Sequence, residues 1–272
     1  MERDEETRRK VFRILSHAAM KKAKGGICKA VIPIYGHGDD NRPKHVASAV
    51  LLMHEGTHLL TTAAHATDHL SSRTLLIPTP DGPLRELQGD AIATVAPEGN
   101  RNLDRYDLAV VKLPPALVHD LGGARYVQRS ECSSEQILEQ GHHCMVFGFP
   151  NSKNNDIDHT KRTVRVKKYS YGGIARRNPG VSAKLKLVGD DHLLIRHITK
   201  SQDEHGTLGR SISPRGVSGG AVLDLGHIED RTCDARLAGI FIEYHQEHGF
   251  AVGTKIESVF AAIERGKASN YI

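Results

Sequence analysis

A serine framed by glycines has the clearest chemical potential in this sequence. Ser218 lies in the stretch Gly216-Val217-Ser218-Gly219-Gly220, directly before the apolar run 221–223. Glycine adopts backbone angles that other residues resist, and it lets another chain approach closely. On such a turn, the N–H groups of Gly216 and Ser218 can point at one position. The stretch is therefore a candidate serine nucleophile with an oxyanion hole, and the alternative interpretation is an ordinary hairpin loop.

A serine nucleophile needs a base and an acid, and the upstream chain offers a candidate for each. His65 follows the apolar segment 59–62 and stands among alanines, which leave the imidazole room at a cleft. Asp107 opens an apolar strand, where a buried carboxylate has to be paired or hydrogen-bonded. His58 and Asp104 are the nearby alternatives. We favour Asp107 over Asp104 because Asp104 lies in the preceding loop, whereas Asp107 begins the strand itself.

A second constellation has the pattern of a zinc site. The stretch His54-Glu55-Gly56-Thr57-His58 fits the His-Glu-x-x-His motif of zinc peptidases. That chemistry requires a helix, which places both imidazoles on one face. Gly56 interrupts the motif and strand-like segments flank it, so the sequence favours a hairpin tip. The 17 histidines of the chain show no other diagnostic metal-ligand spacing, and we expect neither a metal site nor a cofactor.

The elements that must position these residues are mainly strands. Short segments with period-two alternation, separated by turn residues, predict an all-β fold of barrel or sandwich type. They form two series of similar size, joined by a connector at 114–140 that carries prolines and glycines. Helical spacing of apolar residues predicts helices over 5–24 and 255–265. The predicted strands cover residues 27–35, 47–53, 59–62, 74–77, 89–95, 107–113, 142–149, 163–169, 185–188, 192–198, 220–224, 237–242 and 249–252.

The composition predicts a globular protein and argues against two classes of partner. Lys and Arg number 37 and Asp and Glu 32, so the formal net charge is +5. The excess is spread over short clusters without interleaved aromatic residues, so we expect no nucleic-acid surface. No apolar run is long enough to cross a membrane, and no segment has signal-peptide character. Cys28, Cys132, Cys144 and Cys233 show no Cys-x-x-Cys spacing, so we expect reduced thiols and a cytoplasmic location.

Three stretches together resemble the motifs of the trypsin-like (chymotrypsin-fold) serine proteases. Leu60–His65 is similar to the family's L-T-A-A-H motif, Asp107–Leu113 to its aspartate motif, and Gly216–Val222 to its G-x-S-G-G motif. The order His, Asp, Ser is also that of the family. The resemblance covers residues 27–265 and implies two six-stranded antiparallel β-barrels with the active site between them. The expected division is an N-terminal helix in 1–26, a first β-barrel in 27–120, and a second β-barrel with a C-terminal helix in 121–272.

The resemblance implies a role for each matched residue in a serine endopeptidase. Ser218 Oγ attacks the scissile carbonyl, His65 takes and returns the proton, and Asp107 orients the imidazole. The N–H groups of Gly216 and Ser218 bind the oxyanion. A protein or peptide substrate is expected to lie as an extended strand along Ile242-Glu243-Tyr244 and to hydrogen-bond to that edge.

Some residues depart from the secreted members of the family. Val217 stands where zymogen-type members have an aspartate, and Ala66 stands where secreted members have a disulfide cysteine. The pattern is closer to bacterial or intracellular proteases of the HtrA kind, although we expect no PDZ domain and do expect control by a partner protein. Ile212 lies at the expected pocket floor without an acid, and Glu243 is a candidate for favouring basic side chains, so specificity stays open. The alternative function is a latent or inactive protease fold that only binds a partner.

Overall fold

Two curled antiparallel β-sheets, each a half-barrel, make up the body of the protein, and a helix packs at each end of the chain. This architecture confirms the predicted all-β fold with N-terminal and C-terminal helices. The structure is a computed structural model. It describes residues 2–37, 42–68, 74–80, 82–133, 137, 141–154, 157–158, 163–164, 166–187, 190–197, 200–202, 208–210, 214–227 and 234–268. Ile212, the expected pocket floor, lies outside the described residues.

The first sheet carries the histidine and aspartate stretches. Its strand order is β5-β4-β1-β2-β3-β7-β6, all antiparallel, and β8 pairs with β2 in parallel. The pairing of β3 with β7 places Ala63 opposite Leu108, which brings the residues at the two strand ends together. The strands are β1 (Val31–His37), β2 (Pro43–His54), β3 (Thr57–Ala63), β4 (Leu75–Pro78), β5 (Leu84–Glu86), β6 (Asp90–Ala93), β7 (Leu108–Lys112) and β8 (Val127–Gln128).

The second sheet carries the serine stretch. Its order is β12-β9-β16-β17-β18-β13, and a bridge between Ala175 and Ile195 brings the two outer strands together. Two short hairpins, β10 with β11 and β14 with β15, lie apart from it. The strands are β9 (His143–Gly148), β10 (Ile157–Asp158), β11 (Thr163–Val164), β12 (Tyr169–Ile174), β13 (His192–Arg196), β14 (Lys200–Gln202), β15 (Leu208–Arg210), β16 (Ala221–Asp224), β17 (Arg236–His245) and β18 (Phe250–Lys255).

One apolar core joins the two sheets and both terminal helices. It contains Leu59 from the first sheet, Phe147 from the second, Met20 from the N-terminal helix and Phe260 from the C-terminal helix. Because apolar burial is the main driving force of folding, the sheets and helices stabilise each other through this core. The helices are α1 (Glu2–Gly25), α2 (Ala64–Thr67), α3 (Pro115–Asp120), α4 (Pro179–Lys184) and α5 (Ile256–Ala268).

The two terminal helices use their apolar faces differently. In α5, the predicted apolar side chains are all buried: Ile256, Val259, Phe260 and Ile263. In α1, Met20 and Ala23 of the C-terminal half are buried, and the Phe12 ring contacts the ring of His143 edge-on, with centroids 5.7 Å apart. Three large apolar side chains of the N-terminal half are exposed, at 46% for Val11, 39% for Phe12 and 56% for Ile14.

The segment 185–188, predicted as a strand, is an exception to the sequence expectation. The structure has helix α4 just before it, and Leu185 is the C-cap of that helix. The Asn178 side chain caps the N-terminus by accepting from Val181 N at 3.1 Å, and Pro179 occupies the first turn. These are strong helix-start signals, whereas the segment Leu-Lys-Leu-Val over 185–188 contains only one β-branched residue.

None of the described helices is both long enough and apolar enough to span a membrane. The described cysteines, Cys28, Cys132 and Cys144, are all buried and carry free thiols.

Candidate active site

His65 is held at the point where strand β3 turns into a short helix. Ala63 and Ala64 are fully buried, and the Thr67 hydroxyl donates to Ala64 O at 2.8 Å, which closes the turn of α2. The small alanine side chains let this turn sit close against the first sheet. The His65 side chain projects outward from it and is 41% exposed, so that the ring can meet both a neighbour and a ligand.

Asp107 binds His65 through both of its carboxylate oxygens. Oδ2 lies 2.6 Å from His65 Nδ1, and Oδ1 accepts from the backbone N–H of His65 at 2.8 Å. The carbonyl of Asp107 also accepts from Ala64 N at 2.9 Å. Asp107 adopts a left-handed φ of 43°, a conformation that aspartate tolerates better than most residues. Three contacts therefore fix the ring of His65 and the adjacent backbone relative to Asp107, whose side chain is only 12% exposed.

The surroundings of His65 favour the charged imidazolium. Burial of the ring acts against the charge, but the hydrogen bond and the charge of Asp107, together with the charge of Asp68, outweigh it. Arg101 acts in the opposite direction. The net result is a pKa of His65 above its ordinary value of 6.5. An imidazole with a raised pKa is a stronger proton acceptor once it is neutral.

The loop before strand β16 depends on its glycines. Gly216 and Gly219 have φ of 87° and 84°, which glycine adopts without strain. There is also no room for side chains, because a Cβ at Gly216 would lie 1.8 Å from Asn151 Oδ1 and one at Gly219 would lie 2.0 Å from Ser48 O. The loop therefore packs directly on the body of the protein. Ser218, between these glycines, is half-buried.

The backbone of this loop carries the two N–H groups of the predicted oxyanion hole. The Arg215 carbonyl accepts from Asn151 N at 2.8 Å, and because a trans peptide is planar, the N–H of Gly216 points the opposite way. Val217 N donates to Pro214 O at 2.9 Å, which with the positive φ of Gly216 defines a type II turn. Among the described residues, no acceptor pairs with the N–H groups of Gly216 and Ser218. Such a pair can bind an oxyanion.

His65, Asp107 and Ser218 all line one cleft, with a volume of about 1070 Å³. The structure thus brings the three sequence candidates to a common site. Within the described part of the chain, no hydrogen bond joins the Ser218 hydroxyl to His65. Contacts of this kind are often long in a ligand-free site and shorten when substrate binds.

The segment Ile242-Glu243-Tyr244 lines the same cleft. On one side it pairs with β18, with Glu243 opposite Val252. On the other side, the ladder ends at Phe241, whose N–H donates to Gly220 O at 2.8 Å, and no described segment continues it. This edge can accept an extended peptide. Ile242 is only 3% exposed as a whole residue, and the Glu243 carboxylate lies 2.6 Å from His245 Nε2.

The alternative aspartate, Asp104, is bound elsewhere. Its Oδ2 accepts from Arg101 at 2.6 Å and from the Thr94 hydroxyl, and its Oδ1 accepts from Tyr106 N at 3.1 Å. Its side chain is 3% exposed. Asp104 therefore orders the loop before β7, and among the described residues no hydrogen bond or ion pair joins it to His65.

The His-Glu-x-x-His stretch is a hairpin tip, as its sequence suggested. Glu55 and Gly56 both have positive φ, which is typical of a type I′ turn. His54 Nε2 bonds to Glu264 at 2.8 Å, whereas His58 packs on the ring of Tyr126 at 4.6 Å. The two imidazoles therefore have different partners and do not share a ligand position. His54, Glu55 and Glu264 do cluster, and Lys267 neutralises both carboxylates, at 2.6 and 3.5 Å.

Two residues that support the serine loop were missed by the sequence analysis. Ser48, fully buried in β2, donates from its hydroxyl to Gly216 O at 3.1 Å and from its N–H to Ser218 O at 2.8 Å. Asn151 holds the Arg215 carbonyl, and its side chain lies 2.6 Å from His45 Nδ1. A serine inside the apolar run 47–53 is the one signal that could have pointed to Ser48, because a buried hydroxyl needs a partner.

The chain was compared with known families and proteins. The family model described as Trypsin matches residues 30–261. The matched range includes every strand of both sheets, together with His65, Asp107 and Ser218. The comparison with curated proteins gives no match.

Proposed function

The chain belongs to the trypsin family, and on that premise we propose that it is a serine endopeptidase acting on protein substrates. Membership of this family supports serine protease activity, which is a hydrolase activity. The observation that carries the finer proposal is the cleft that His65, Asp107 and Ser218 share, with the imidazole already bound to the carboxylate at 2.6 Å. A nucleophile, a base and an orienting acid in one cleft are the parts that acyl transfer requires.

In the proposed reaction, Ser218 Oγ attacks the carbonyl carbon of the scissile peptide bond. His65 Nε2 takes the hydroxyl proton, because Nδ1 is occupied by Asp107. The N–H groups of Gly216 and Ser218 receive the negative oxygen of the tetrahedral intermediate. When that intermediate collapses, His65 gives the proton to the leaving amine and an acyl-enzyme on Ser218 remains. Water then attacks the acyl group by the same route and releases the product acid.

We also propose that the loop 214–218 is able to bind the oxyanion without the ion pair of zymogen-type members. In those members a new N-terminus pairs with the aspartate that precedes the serine, where this chain has Val217. Val217 is fully buried among apolar side chains of the second sheet. The carbonyl of Arg215 is held by Asn151, and that of Gly216 by Ser48. These contacts supply the support that a buried charge pair would otherwise give. This feature supports the proposed kinship with intracellular proteases of the HtrA kind.

A reducing cytoplasmic location and a regulatory protein partner remain part of the proposal. The buried free thiols of Cys28, Cys132 and Cys144 fit a reducing compartment. The exposed apolar side chains of Val11, Phe12 and Ile14 on α1 fit contact with another protein.

The test of the proposed function is reaction of the purified protein with a fluorescent phosphonate probe for active serines. We expect covalent labelling of the wild type that disappears in Ser218→Ala, together with a loss of peptidase kcat of about 10⁴-fold or more. His65→Ala should lose activity to a similar extent, because residues that act as a unit are not additive.

The matched control is Ser130→Ala, since Ser130 is exposed on a short turn away from the cleft. This variant should label and cleave like the wild type. Labelling that persists in Ser218→Ala would show that another residue is the nucleophile. A folded wild type that never labels would instead favour the inactive binding fold.

A further inference from the structure

Arg101 lies between the two segments that position His65 and Asp107. It begins a short helical turn in the loop that precedes strand β7. Asp68, three residues after His65, is the C-cap of helix α2. Asp104, three residues before Asp107, ends the helical turn that Arg101 begins. The Arg101 side chain is only 21% exposed, lies at the wall of the cleft and contacts both of these carboxylates.

The guanidinium group of Arg101 binds the two carboxylates at once. Nε and Nη2 donate to Oδ2 and Oδ1 of Asp68, at 3.0 and 2.5 Å. Nη1 donates to Oδ2 of Asp104 at 2.6 Å and to the carbonyl of Thr94 at 2.7 Å. A two-point contact between a planar guanidinium and a carboxylate fixes their relative orientation as well as their distance. We call Asp68, Arg101 and Asp104 together the arginine bridge.

The Asp104 end of the arginine bridge continues to the residues on either side of Asp107. Oδ1 of Asp104 accepts from the backbone N–H of Tyr106 at 3.1 Å. The Thr94 hydroxyl donates to Asp104 Oδ2 and accepts from the backbone N–H of Leu108 at 3.0 Å. Asp104 is thereby connected to the backbone immediately before and after Asp107, whose own φ is in the left-handed region. The bridge therefore restrains the conformation in which the Asp107 carboxylate faces the imidazole.

The Asp68 end of the arginine bridge continues to the helix that carries His65. The backbone N–H of Asp68 donates to Ala64 O at 3.2 Å, so the residue belongs to the turn that holds the imidazole. Helix α2 has only four residues, and a single helical turn is not stable by itself. The contact of Asp68 with Arg101 therefore gives α2 an anchor on the loop that precedes β7.

We propose that Arg101 is a positioning residue of the reaction, and that the arginine bridge holds the His65 imidazole and the Asp107 carboxylate in the geometry that proton transfer requires. This inference rests on the proposed serine endopeptidase function. Arg101 exchanges no proton and makes no bond to the substrate, because it acts through Asp68 and Asp104. A displacement of about 1 Å at a reacting group can reduce the rate about 100-fold, so a link between the two segments has a measurable effect on kcat.

The first test compares kcat and KM of the wild type with those of Arg101→Lys and Arg101→Gln. Lysine keeps the positive charge, but an ammonium group cannot reproduce the two-point contact of a guanidinium. We expect kcat to fall about tenfold or more in both variants while KM stays near its wild-type value. A rise in KM with unchanged kcat would show that Arg101 binds the substrate instead. Unchanged constants would show that the direct contact of Asp107 with His65 suffices, and either result overturns the inference.

The second test is the pH profile of kcat/KM, which separates the charge of Arg101 from its geometry. The charges of Asp107 and Asp68 raise the pKa of His65, whereas that of Arg101 lowers it. Arg101→Gln removes this positive charge, so the pKa should rise and the acidic limb should move to higher pH. Arg101→Lys keeps the charge, so its limb should stay in place although its kcat falls. A limb that stays in place in both variants would mean that Arg101 only stabilises the fold.

Arg85 provides the matched control. It also forms an ion pair, with Asp120 at 2.9 Å, and it lies on strand β5 away from the residues that line the cleft. Arg85→Lys and Arg85→Gln should keep the wild-type kcat, KM and pH profile. Thermal unfolding verifies that each variant is folded. Arg101→Lys carries the test if Arg101→Gln does not fold, and Asp68→Asn, which weakens the bridge at its other end, carries it if neither folds.

Proton NMR separates this inference from the proposed function. The proton between His65 Nδ1 and Asp107 Oδ2 lies in a short hydrogen bond of 2.6 Å and gives a signal far downfield, whether or not peptides are cleaved. We expect this signal to broaden in both Arg101 variants, through faster exchange with solvent, and to persist in both Arg85 variants. If neither labelling nor cleavage depends on Ser218, the proposed function fails, and the signal still tests the bridge. If cleavage depends on Ser218 but neither kcat nor the signal changes in the Arg101 variants, only the role of Arg101 fails.

Discussion

At the scale of single residues, the proposed chemistry depends on the contact between Asp107 and His65. The carboxylate accepts from the imidazole and from the backbone N–H of the same histidine, so the position and the tautomer of the ring are set together. The charges of Asp68 and Arg101 act on the pKa of this ring with opposite signs, since Asp68 raises it and Arg101 lowers it.

The raised pKa of His65 predicts how activity depends on pH. The ring acts as a base only when neutral, so activity is present above its pKa and is lost as pH falls through it. Because the pKa of His65 is above 6.5, the acidic limb of kcat/KM should lie above pH 6.5. Asp68→Asn removes a charge that raises this pKa, so it should move the limb to lower pH.

A pH profile of kcat/KM for wild type and Asp68→Asn checks this expectation. Asp90→Asn is the control, because Asp90 is an exposed residue of strand β6 outside the cleft. A limb that stays in place in Asp68→Asn, or moves to higher pH, would contradict the electrostatic account of His65.

At the scale of elements, the loop 214–220 is held in one conformation by close packing and by hydrogen bonds. A side chain at Gly216 would collide with Asn151 and one at Gly219 with Ser48 of β2, and the loop's carbonyls are bound by Ser48 and Asn151. The loop therefore has little freedom to rearrange, and in the proposed mechanism its two oxyanion donors are oriented before a substrate arrives. Preorganised donors of this kind account for much of the rate enhancement in acyl transfer.

Gly219→Ala tests how tightly this loop is packed. The new Cβ would lie 2.0 Å from Ser48 O and 2.2 Å from Thr62 Oγ1, so the loop or β2 has to move. We expect a loss of unfolding free energy of more than ~2 kcal/mol and a loss of most activity. Urea unfolding and peptidase assays measure the two effects.

Gly123→Ala is the control for backbone strain. Gly123 has a similar φ, 78°, but a Cβ there would meet nothing within 4 Å. It should cost only about 1–2 kcal/mol, the ordinary penalty for a side chain in the left-handed region, and should leave activity intact. Equal destabilisation in the two variants would mean that steric crowding at Gly219 is unimportant.

The elements also show which parts of the structure are predictable from sequence. Strands β3 and β7, which end next to His65 and begin next to Asp107, are predictable because their apolar residues form short runs bounded by turn residues. The loop that carries Ser218 is visible because its glycines are unusual. Ser48 is different, because its contact with Gly216 spans 168 residues and depends on how the two sheets dock. No local pattern encodes such a contact. The strand predicted over 185–188 is absent from the described residues 185–187 for a different reason. A local signal was present there, because Asn178 is a typical N-cap and indicates the helix that precedes this segment.

At the scale of the whole molecule, the candidate site is shared between the two sheets. His65 and Asp107 come from the first sheet and Ser218 from the second, and a single core with α1 and α5 holds the sheets together. Ser48 is one polar link between the two sheets, because its hydroxyl also accepts from Phe149 N at 2.9 Å.

Ser48→Ala should therefore weaken stability and activity together. It removes one hydrogen bond to Gly216 O and leaves the buried N–H of Phe149 without its acceptor, which costs about 1–3 kcal/mol. We expect kcat to fall about tenfold, since the loop 214–218 loses an anchor. Ser130→Ala is again the exposed control. A normal kcat in a destabilised Ser48→Ala would show that the loop is positioned without Ser48.

Two backbone amides are hydrogen-bonded across the boundary between the two sheets, and their exchange with solvent can be measured. The amide of Ser48 is protected from solvent by Ser218 O in the other sheet, and the amide of Phe149 by Ser48 Oγ. Their deuterium uptake therefore reports how often the two halves part, independently of any substrate. Loss of protection at these two amides while the interior of each sheet stays protected would mark an open state in which the histidine and the serine are separated. Such a state would give a regulator a way to silence the protein without touching either residue.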